Sequence, residues 1–160
     1  MIRRLLKRVT SHLRCRSIAG GDGSTYLERY YLWGWAPWNP NPKSSKLVPW
    51  LPGAMLHHFV RSDEDRELHN HPWRWSLSVI LAGGYVEERM VDGRVVLRRV
   101  TPGSINIIRD NDFHRVDLLE KDCWSLFITG PKTQSWGFLH RITREFTPWH
   151  DFIARRAGNP

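Results

Sequence analysis

Cysteine and long apolar segments are both scarce in this chain of 160 residues. Its two cysteines, Cys15 and Cys123, lie far apart and show no Cys-x-x-Cys spacing, which excludes a disulfide framework and a zinc knuckle. No apolar run approaches the roughly 20 residues of a membrane-spanning helix, and the N-terminus lacks the apolar stretch of a secretory signal. We therefore expect a soluble protein in a reducing, cytoplasmic setting.

Acidic residues are absent from the first 18 positions, where most of the net charge of +8 lies. Apolar residues recur there at helical spacing, which predicts a basic amphipathic helix over 1–18. A helix docked on the protein body is the first interpretation, and contact with an anionic surface or an organelle transit peptide are the alternatives. The basic positions are Arg3, Arg4, Lys7, Arg8, Arg14 and Arg16, and the apolar ones are Ile2, Leu5, Leu6, Val9 and Leu13.

Prolines are concentrated between Ala36 and Gly53, which excludes a central strand or a helix interior there. Trp35, Trp38 and Trp50 accompany them, unlike in a disordered linker. We therefore predict an arm or cover over 19–54, either a surface loop pinned by its tryptophans or a lid over a pocket.

Short β segments with frequent turn signals follow from Met55 onward, and Asp92-Gly93 is a strong hairpin signal. Many short strands without long helices predict an antiparallel sandwich or barrel in a single domain, with its core at 55–140. A C-terminal helix and tail are expected at 141–160, with Thr147 as the cap. The predicted strands are Met55 to Arg61, Trp75 to Ala82, Tyr85 to Val91, Arg94 to Val100, Ser104 to Arg109, His114 to Leu118 and Trp124 to Thr129, with Tyr26 to Trp33 and Trp136 to His140 as outer strands.

His69 and His71 are separated by one residue, so both side chains point to the same face of a strand. His114 would join them from another strand. The spacing therefore predicts three imidazoles on one metal ion. Neutral imidazoles suit several divalent metals, so ligand type does not select between them.

The same region resembles the two sequence motifs of the cupin superfamily over roughly Met55 to Leu118. The first motif matches His69-x-His71, Ser76 and Gly83, and the second matches Gly103, Arg109-Asp110-Asn111 and His114. The resemblance implies an all-β jelly roll. Ser76 stands where cupins carry a glutamate ligand, which implies a site of three histidines. Asn111 is expected to supply the left-handed conformation of the turn glycine.

A cupin without that glutamate is similar to the thiol dioxygenase branch, which includes cysteine dioxygenase and holds Fe(II) with three histidines. The run from Gly83 to Glu87 resembles this branch too, whereas its Ser-His-Tyr set is not found. Leu68 to Trp73 and Gly130 to Phe138 are similar to the LHxHPW and GPxxxxWGF segments of small uncharacterised bacterial and phage cupins, which implies a microbial origin.

These observations predict a mononuclear dioxygenase that acts on a small molecule, with Fe(II) as the metal and Zn(II) or Ni(II) as alternatives. Ser76, His57, Arg61 and Arg115 are the candidate catalytic neighbours. His57 is adjacent to His58, so only one of the two can face inward. Cys123, on an apolar strand, is expected to be buried and inert.

Two other functions stay open at this point. A cupin that binds a metal or ligand without turnover, as a sensor or subunit, is the first alternative. A nucleic-acid or anionic-surface binder acting through residues 1–18 is the third hypothesis. A homodimer is also open.

Overall fold

The computed structural model describes residues 1–20, 23–33, 52–63 and 67–157. Within these ranges, no helix is long and apolar enough to cross a membrane. The cover predicted around Ala36 to Gly53 falls almost entirely on 34–51, outside the described residues. The elements are α1 (Ile2–Thr10), β1 (Cys15–Ala19), β2 (Thr25–Trp33), β3 (Gly53–Phe59), β4 (Leu68–His69), β5 (Trp75–Ala82), β6 (Tyr85–Val91), β7 (Arg94–Val100), β8 (Ile105–Arg109), β9 (His114–Leu118), β10 (Cys123–Thr129), β11 (Gly137–Leu139), β12 (Phe146–Pro148) and α2 (Trp149–Ala157).

The strands form two six-stranded sheets with antiparallel pairing. Sheet one has the order β1-β2-β3-β10-β5-β8, and sheet two has the order β12-β11-β4-β9-β6-β7. Buried side chains of both sheets meet in one core, where Ile80 and Cys123 of sheet one pack with Tyr85, Val100 and Val116 of sheet two. The predicted all-β jelly roll with a short helix at each end is therefore confirmed.

Alternation along the strands explains why most of them could be predicted. In β5, Ser76, Ser78 and Ile80 are buried, while the residues between them are less buried or exposed, so one face lies inward. The strands at β5, β6, β7 and β9 have the predicted bounds. Three strands were not predicted, β1, β4 and β12, and they are short or carry no clear alternation.

Two turns test the backbone predictions. Asp92 and Gly93 both have positive φ, at 47° and 74°, so the predicted hairpin turn is confirmed. Asn111 is different: among the described residues other than glycine, positive φ occurs at Asp92 and Arg144, so Asn111 does not take the left-handed conformation. The turn closes instead through Asp112, whose carboxylate accepts a hydrogen bond of 2.9 Å from the Arg109 amide.

The glycine turn between β5 and β6 is needed because the chain passes close to the start of β10. Gly83 has φ +76°, and a Cβ there would lie 2.1 Å from the Asp122 carbonyl oxygen. Only glycine fits without moving the backbone. The turn directs β6 into sheet two, where Glu87 enters the interior with 0% exposure.

α1 is shorter than the segment predicted for it, because it ends at Thr10 and β1 begins at Cys15. It docks on the outer face of sheet one through Leu6, which is 7% exposed and packs with Leu56, Ala82 and Trp124. Its Arg3 guanidinium donates to Glu120 at 2.5 Å and to Asp122 at 2.7 Å. Ile2, Leu5 and Val9, also part of the predicted apolar stripe, remain exposed.

Aromatic rings of α2 pack against Phe138 of β11 and against Trp136, which precedes this strand. Trp149 stacks on Trp136 and Phe152 stacks on Phe138, with ring centroids 5.7 and 3.9 Å apart. Ile153 of the same helix is 51% exposed. Thr147 and Pro148 belong to β12 rather than to the first helical turn, because both pair with β11.

Candidate metal centre

Strand pairing brings the three histidines together. His69 of β4 and His114 of β9 are direct cross-strand partners, and His71 follows two residues after His69. The ring centroids lie 4.9 Å apart for His69 and His114, 5.0 Å for His71 and His114, and 5.3 Å for His69 and His71. One ring nitrogen from each histidine lies within 4.8 Å of the others. The rings therefore converge on one point, as the spacing predicted.

The separation of the nitrogens fits a shared metal ion. Nε2 of His71 and Nε2 of His114 lie 2.8 Å apart. Two nitrogens at about 2.1 Å from one ion and at right angles to each other are about 3 Å apart, so the observed separation is near that of adjacent ligands. Such a cluster of nitrogen donors suits Zn, Fe, Ni or Cu ions.

Burial favours the neutral form of His69 and His71. Burial first, and then the charge of His114, holds the pKa of His69 and of His71 well below the usual 6.5. A neutral imidazole offers a lone pair, whereas a protonated one offers none. The residues present therefore fit a divalent cation.

Glu87 orients His114 from behind. The Nδ1–H of His114 donates to Oε1 of Glu87 at 2.9 Å, and Arg89 and Asn106 donate to the same oxygen at 2.8 and 2.9 Å. Burial acts to raise the pKa of Glu87, but these hydrogen bonds, first that of His114, lower it to about 2. Because an ionised carboxylate only accepts, this contact holds a ring proton of His114 on Nδ1, and Nε2 faces the other histidines.

The His-x-His segment is held by side-chain amides. Asn70, between the two histidines, donates to the Asp110 carbonyl at 3.2 Å and accepts from the Gly137 amide at 2.9 Å. Gln134 donates to the His71 carbonyl at 3.0 Å. On the other side, the Asp63 carboxylate lies 3.9 Å from Nδ1 of His69. The ligands are therefore positioned by groups from several loops, which favours a fixed geometry.

Aromatic rings wall the cluster on two sides. Trp73 stacks on His71 at 5.8 Å, and Phe127 lies 6.0 Å from the same ring. On the opposite side, Trp136 and Phe138 lie 6.5 and 6.3 Å from His69. These rings shield the histidines in part and give a small molecule a partly apolar surrounding.

The candidate catalytic residues are distributed unevenly. His57 faces inward, stacks on Phe127 at 4.4 Å and has a buried Nε2 with no hydrogen-bond partner in the described part of the chain. Its neighbour His58 faces outward, as alternation requires. Ser76 is fully buried on the inner face, and its hydroxyl donates to the Ile108 carbonyl at 3.5 Å. His57 therefore lies beside the cluster, whereas the contacts of Ser76 do not include the histidines.

The two predicted arginines make contacts outside the histidine cluster, although the charge of Arg115 contributes, after burial, to lowering the pKa of His69. Arg61 donates to the Ser24 carbonyl at 2.8 Å. Arg115 follows His114 on β9, so its side chain points to the other face, where it lies 3.4 Å from Glu88. Cys123 is buried as expected, and burial raises the pKa of its thiol to about 12.

Two residues near the cluster could not be found from the sequence. Glu87 lies in the glycine-turn run, but its contact with His114 depends on the register of β6 against β9. Arg29, on β2, is more than 30 residues before any ligand, and it reaches the cluster through the pairing of β2 with β3. For both residues, the sequence offers one indication, which is a position on the inward face of an alternating strand.

Comparison with known proteins supports this architecture at the level of fold. No family model matches the chain, and no curated protein matches it. Solved structures do match. The Fe(II) form of HppE is 7% identical with a TM-score of 0.54, and the match covers 75% of this chain and 57% of that one. KdgF from Halomonas sp. is 15% identical with a TM-score of 0.50, covering 77% of this chain and 92% of KdgF.

A third neighbour is oxalate decarboxylase of Bacillus subtilis, studied for its Mn(II) centres, at 18% identity and a TM-score of 0.51. The match covers 72% of this chain and 29% of the decarboxylase. The chain has the cupin fold. It spans little more than half the length of HppE and under a third of the decarboxylase, and at these identities the cupin likeness concerns the fold alone.

Proposed function

We propose that this cupin binds one divalent metal ion through His69, His71 and His114 and is a mononuclear iron dioxygenase for a small molecule. The observation that carries the proposal is the convergence of three ring nitrogens within 4.8 Å inside the barrel. HppE and oxalate decarboxylase, whose fold is similar, are described with Fe(II) and Mn(II). A metal of this kind fits the donor set.

The chain's own residues have defined tasks in this proposal. His69, His71 and His114 hold the ion by three neutral nitrogens and leave its other positions open for ligands. Bound iron would supply redox chemistry toward dioxygen and a chelated substrate. Glu87 fixes the tautomer of His114, and Trp73 and the other aromatic walls shield the site in part from bulk water.

The experiment is oxygen uptake by protein that has been reconstituted with Fe(II) under anaerobic conditions. A panel of small thiols and of small chelating acids is supplied, and uptake that needs both Fe(II) and one compound supports a dioxygenase. His71→Ala removes a ligand and should abolish uptake. His140→Ala is the matched control, because His140 lies outside the cluster with a half-exposed side chain, and it should retain uptake.

The outcomes separate the first alternative from the proposal. Protein that is fully loaded with iron but consumes no oxygen with any compound contradicts the dioxygenase. It would support the cupin that binds a metal or ligand without turnover.

The anionic-surface hypothesis stays a separate proposal for α1. Ile2, Leu5 and Val9 are exposed on this helix beside its arginines, an arrangement found in helices that lie on anionic membranes. Removing residues 1–11 should then abolish binding to vesicles containing phosphatidylserine. Equal binding by both forms would overturn this proposal and leave the metal site unaffected.

A further inference from the structure

A cavity lies between α1 and the turn that joins β9 to β10, on the outer side of sheet one. Its volume is about 390 Å³, which is in the range of cavities that bind small molecules. The three histidines of the metal centre do not line it. The polar and charged side chains of its lining are Arg3, Arg4, Lys7, His58, Lys121 and Asp122. Four cationic side chains therefore face one carboxylate.

The carboxylate of this cavity already has partners within the protein. Asp122 accepts a hydrogen bond of 2.7 Å from Nε of Arg3 and lies 3.3 Å from Nε2 of His58. Arg3 also donates to Glu120. These contacts hold α1 against the turn, and they leave neither the Arg3 cation nor the Asp122 carboxylate without a counter-charge.

The other three cations of the lining have no such contact. Arg4, Lys7 and Lys121 form no salt bridge and no side-chain hydrogen bond within the described part of the chain. Arg4 and Lys7 come from α1, whereas Lys121 comes from the turn, so their charges approach the cavity from two elements. Like charges collected around one cavity repel each other and raise the local concentration of anions.

We propose that this cavity binds the phosphate group of a small soluble molecule. A phosphate monoester carries close to two negative charges and three acceptor oxygens, so it can contact three cationic donors at once. A carboxylate offers a single charge and two oxygens. The cavity volume leaves room for the rest of a small molecule. The inference does not rest on the proposed function, because no metal ligand lines the cavity.

The placement of the cations on α1 favours a soluble ligand over a lipid headgroup. Successive residues of an α-helix are rotated by about 100°, so Leu5 and Lys7 point about 200° apart, to nearly opposite sides. Leu5 belongs to the exposed apolar side of the helix, with 56% exposure. A membrane that received Leu5 would therefore lie on the side of α1 away from the cavity.

The first test follows phosphate binding by the full chain after treatment with a chelator, because phosphate would also bind a metal ion held by the histidines. Inorganic phosphate and acetate are titrated separately at constant ionic strength while the backbone amide resonances of Lys7 and Lys121 are observed by NMR. We expect both resonances to shift with saturation on phosphate, and acetate to bind more weakly. No saturable shift with phosphate, or equal affinity for acetate, would overturn the proposal.

Variants test whether these three cations form the site. Arg4→Gln, Lys7→Gln and Lys121→Gln should each weaken phosphate binding by about fivefold, the factor expected for one exposed ion pair. Arg8→Gln is the matched control, because Arg8 is an exposed arginine of the same helix that does not line the cavity. It should leave the affinity unchanged. Equal weakening by Arg8→Gln would show attraction by net charge alone and would contradict the assignment.

Thermal stability distinguishes a ligand-binding lysine from a structural one. Phosphate should raise the melting temperature of the wild type, and it should do so less in Lys121→Gln. Without phosphate, Lys121→Gln should melt no lower than the wild type, because the substitution relieves repulsion between like charges. A lower melting temperature without phosphate would indicate a structural role for Lys121 and would contradict the proposal.

Two further measurements locate the anion. His71→Ala, which lacks a metal ligand, should bind phosphate with wild-type affinity, and weaker binding in this variant would place the anion at the histidines instead. Vesicles that contain phosphatidylinositol 4-phosphate should bind equally, or not at all, to the wild type and to Lys121→Gln. Loss of vesicle binding in Lys121→Gln would assign the cavity to a lipid headgroup and overturn the soluble ligand.

Discussion

Two histidines of this protein contact carboxylates on different faces of the barrel, and their surroundings differ. His58, on the outer face of sheet one, contacts Glu28 at 2.8 Å and Asp122 at 3.3 Å and stacks on Trp124 at 4.0 Å. His114, inside, contacts Glu87 through one nitrogen and turns the other toward His71.

The two sites differ in which ring nitrogens have a carboxylate partner. Both nitrogens of His58 have carboxylate partners, so this residue serves packing and the docking of α1, whose Arg3 contacts the same Asp122. In the inner cluster, one ring nitrogen of each histidine converges on the others, and no carboxylate of the described residues joins this group. Contact with a carboxylate therefore does not identify a metal-binding histidine. Ring nitrogens that converge on one point do.

The largest loss of stability that does not depend on a metal is expected at the outer pair. His58→Ala leaves two carboxylates without their imidazole and removes the stack on Trp124, so the free energy of unfolding should fall by about 2 kcal/mol. Urea unfolding measures this loss. Metal content per folded chain should not change, and a large loss of metal in this variant would break the comparison.

Chelation should affect the inner cluster alone. Removing a metal that was present at about 100 times its dissociation constant costs about 2.7 kcal/mol of apparent stability. Chelator should therefore lower the melting temperature of the wild type and of His58→Ala by the same amount. His71→Ala should show no difference, and a chelator effect of wild-type size in that variant would place the metal elsewhere.

Glu87→Gln tests the orienting role of the inner carboxylate. The amide no longer carries the charge that fixes the His114 tautomer, so metal affinity should fall by roughly 10- to 100-fold. Competition against a chromogenic chelator measures the dissociation constant. Glu28→Gln, the equivalent change at the outer pair, should leave it unaltered, and equal effects of the two would show that neither carboxylate is specific to the metal.

Acid should weaken the contacts of the Asp122 carboxylate with Arg3 and His58. Burial acts to raise the pKa of Asp122, but the hydrogen bonds from Arg3 and His58 lower it below its usual 3.8. A carboxyl with a depressed folded pKa contributes stability above its unfolded pKa and loses it as the pH falls through the folded one. The stability gap between wild type and Asp122→Asn should therefore narrow below about pH 4. A constant gap in unfolding experiments across the acid range would contradict this origin.

The smallest effect is expected at Ser76. Its hydroxyl makes one long hydrogen bond of 3.5 Å to the Ile108 carbonyl. Ser76→Ala should cost less than about 1 kcal/mol in unfolding free energy and should leave metal content unchanged. A loss of bound metal in this variant would make Ser76 part of the ligand set.

The sequence was informative where local spacing decides the structure. The three histidines and the Asp92-Gly93 turn follow from alternation and turn chemistry, which are local properties. Glu87 and Arg29 reach the cluster through the pairing of distant strands, and no local pattern specifies that register. Arg115 was proposed from its proximity in sequence to His114, but neighbouring residues of a strand face opposite sides.

The central claim is that the inner histidines bind one metal ion and the outer histidine binds none. Elemental analysis of tag-free protein compares the wild type with His69→Ala, His114→Ala and His58→Ala, all of them folded and loaded anaerobically with Fe(II). We predict about one metal ion per chain in the wild type and in His58→Ala, and loss of it in the two inner variants. A wild type without metal after loading with Fe(II), Zn(II) and Ni(II), or inner variants that retain it, would contradict the account.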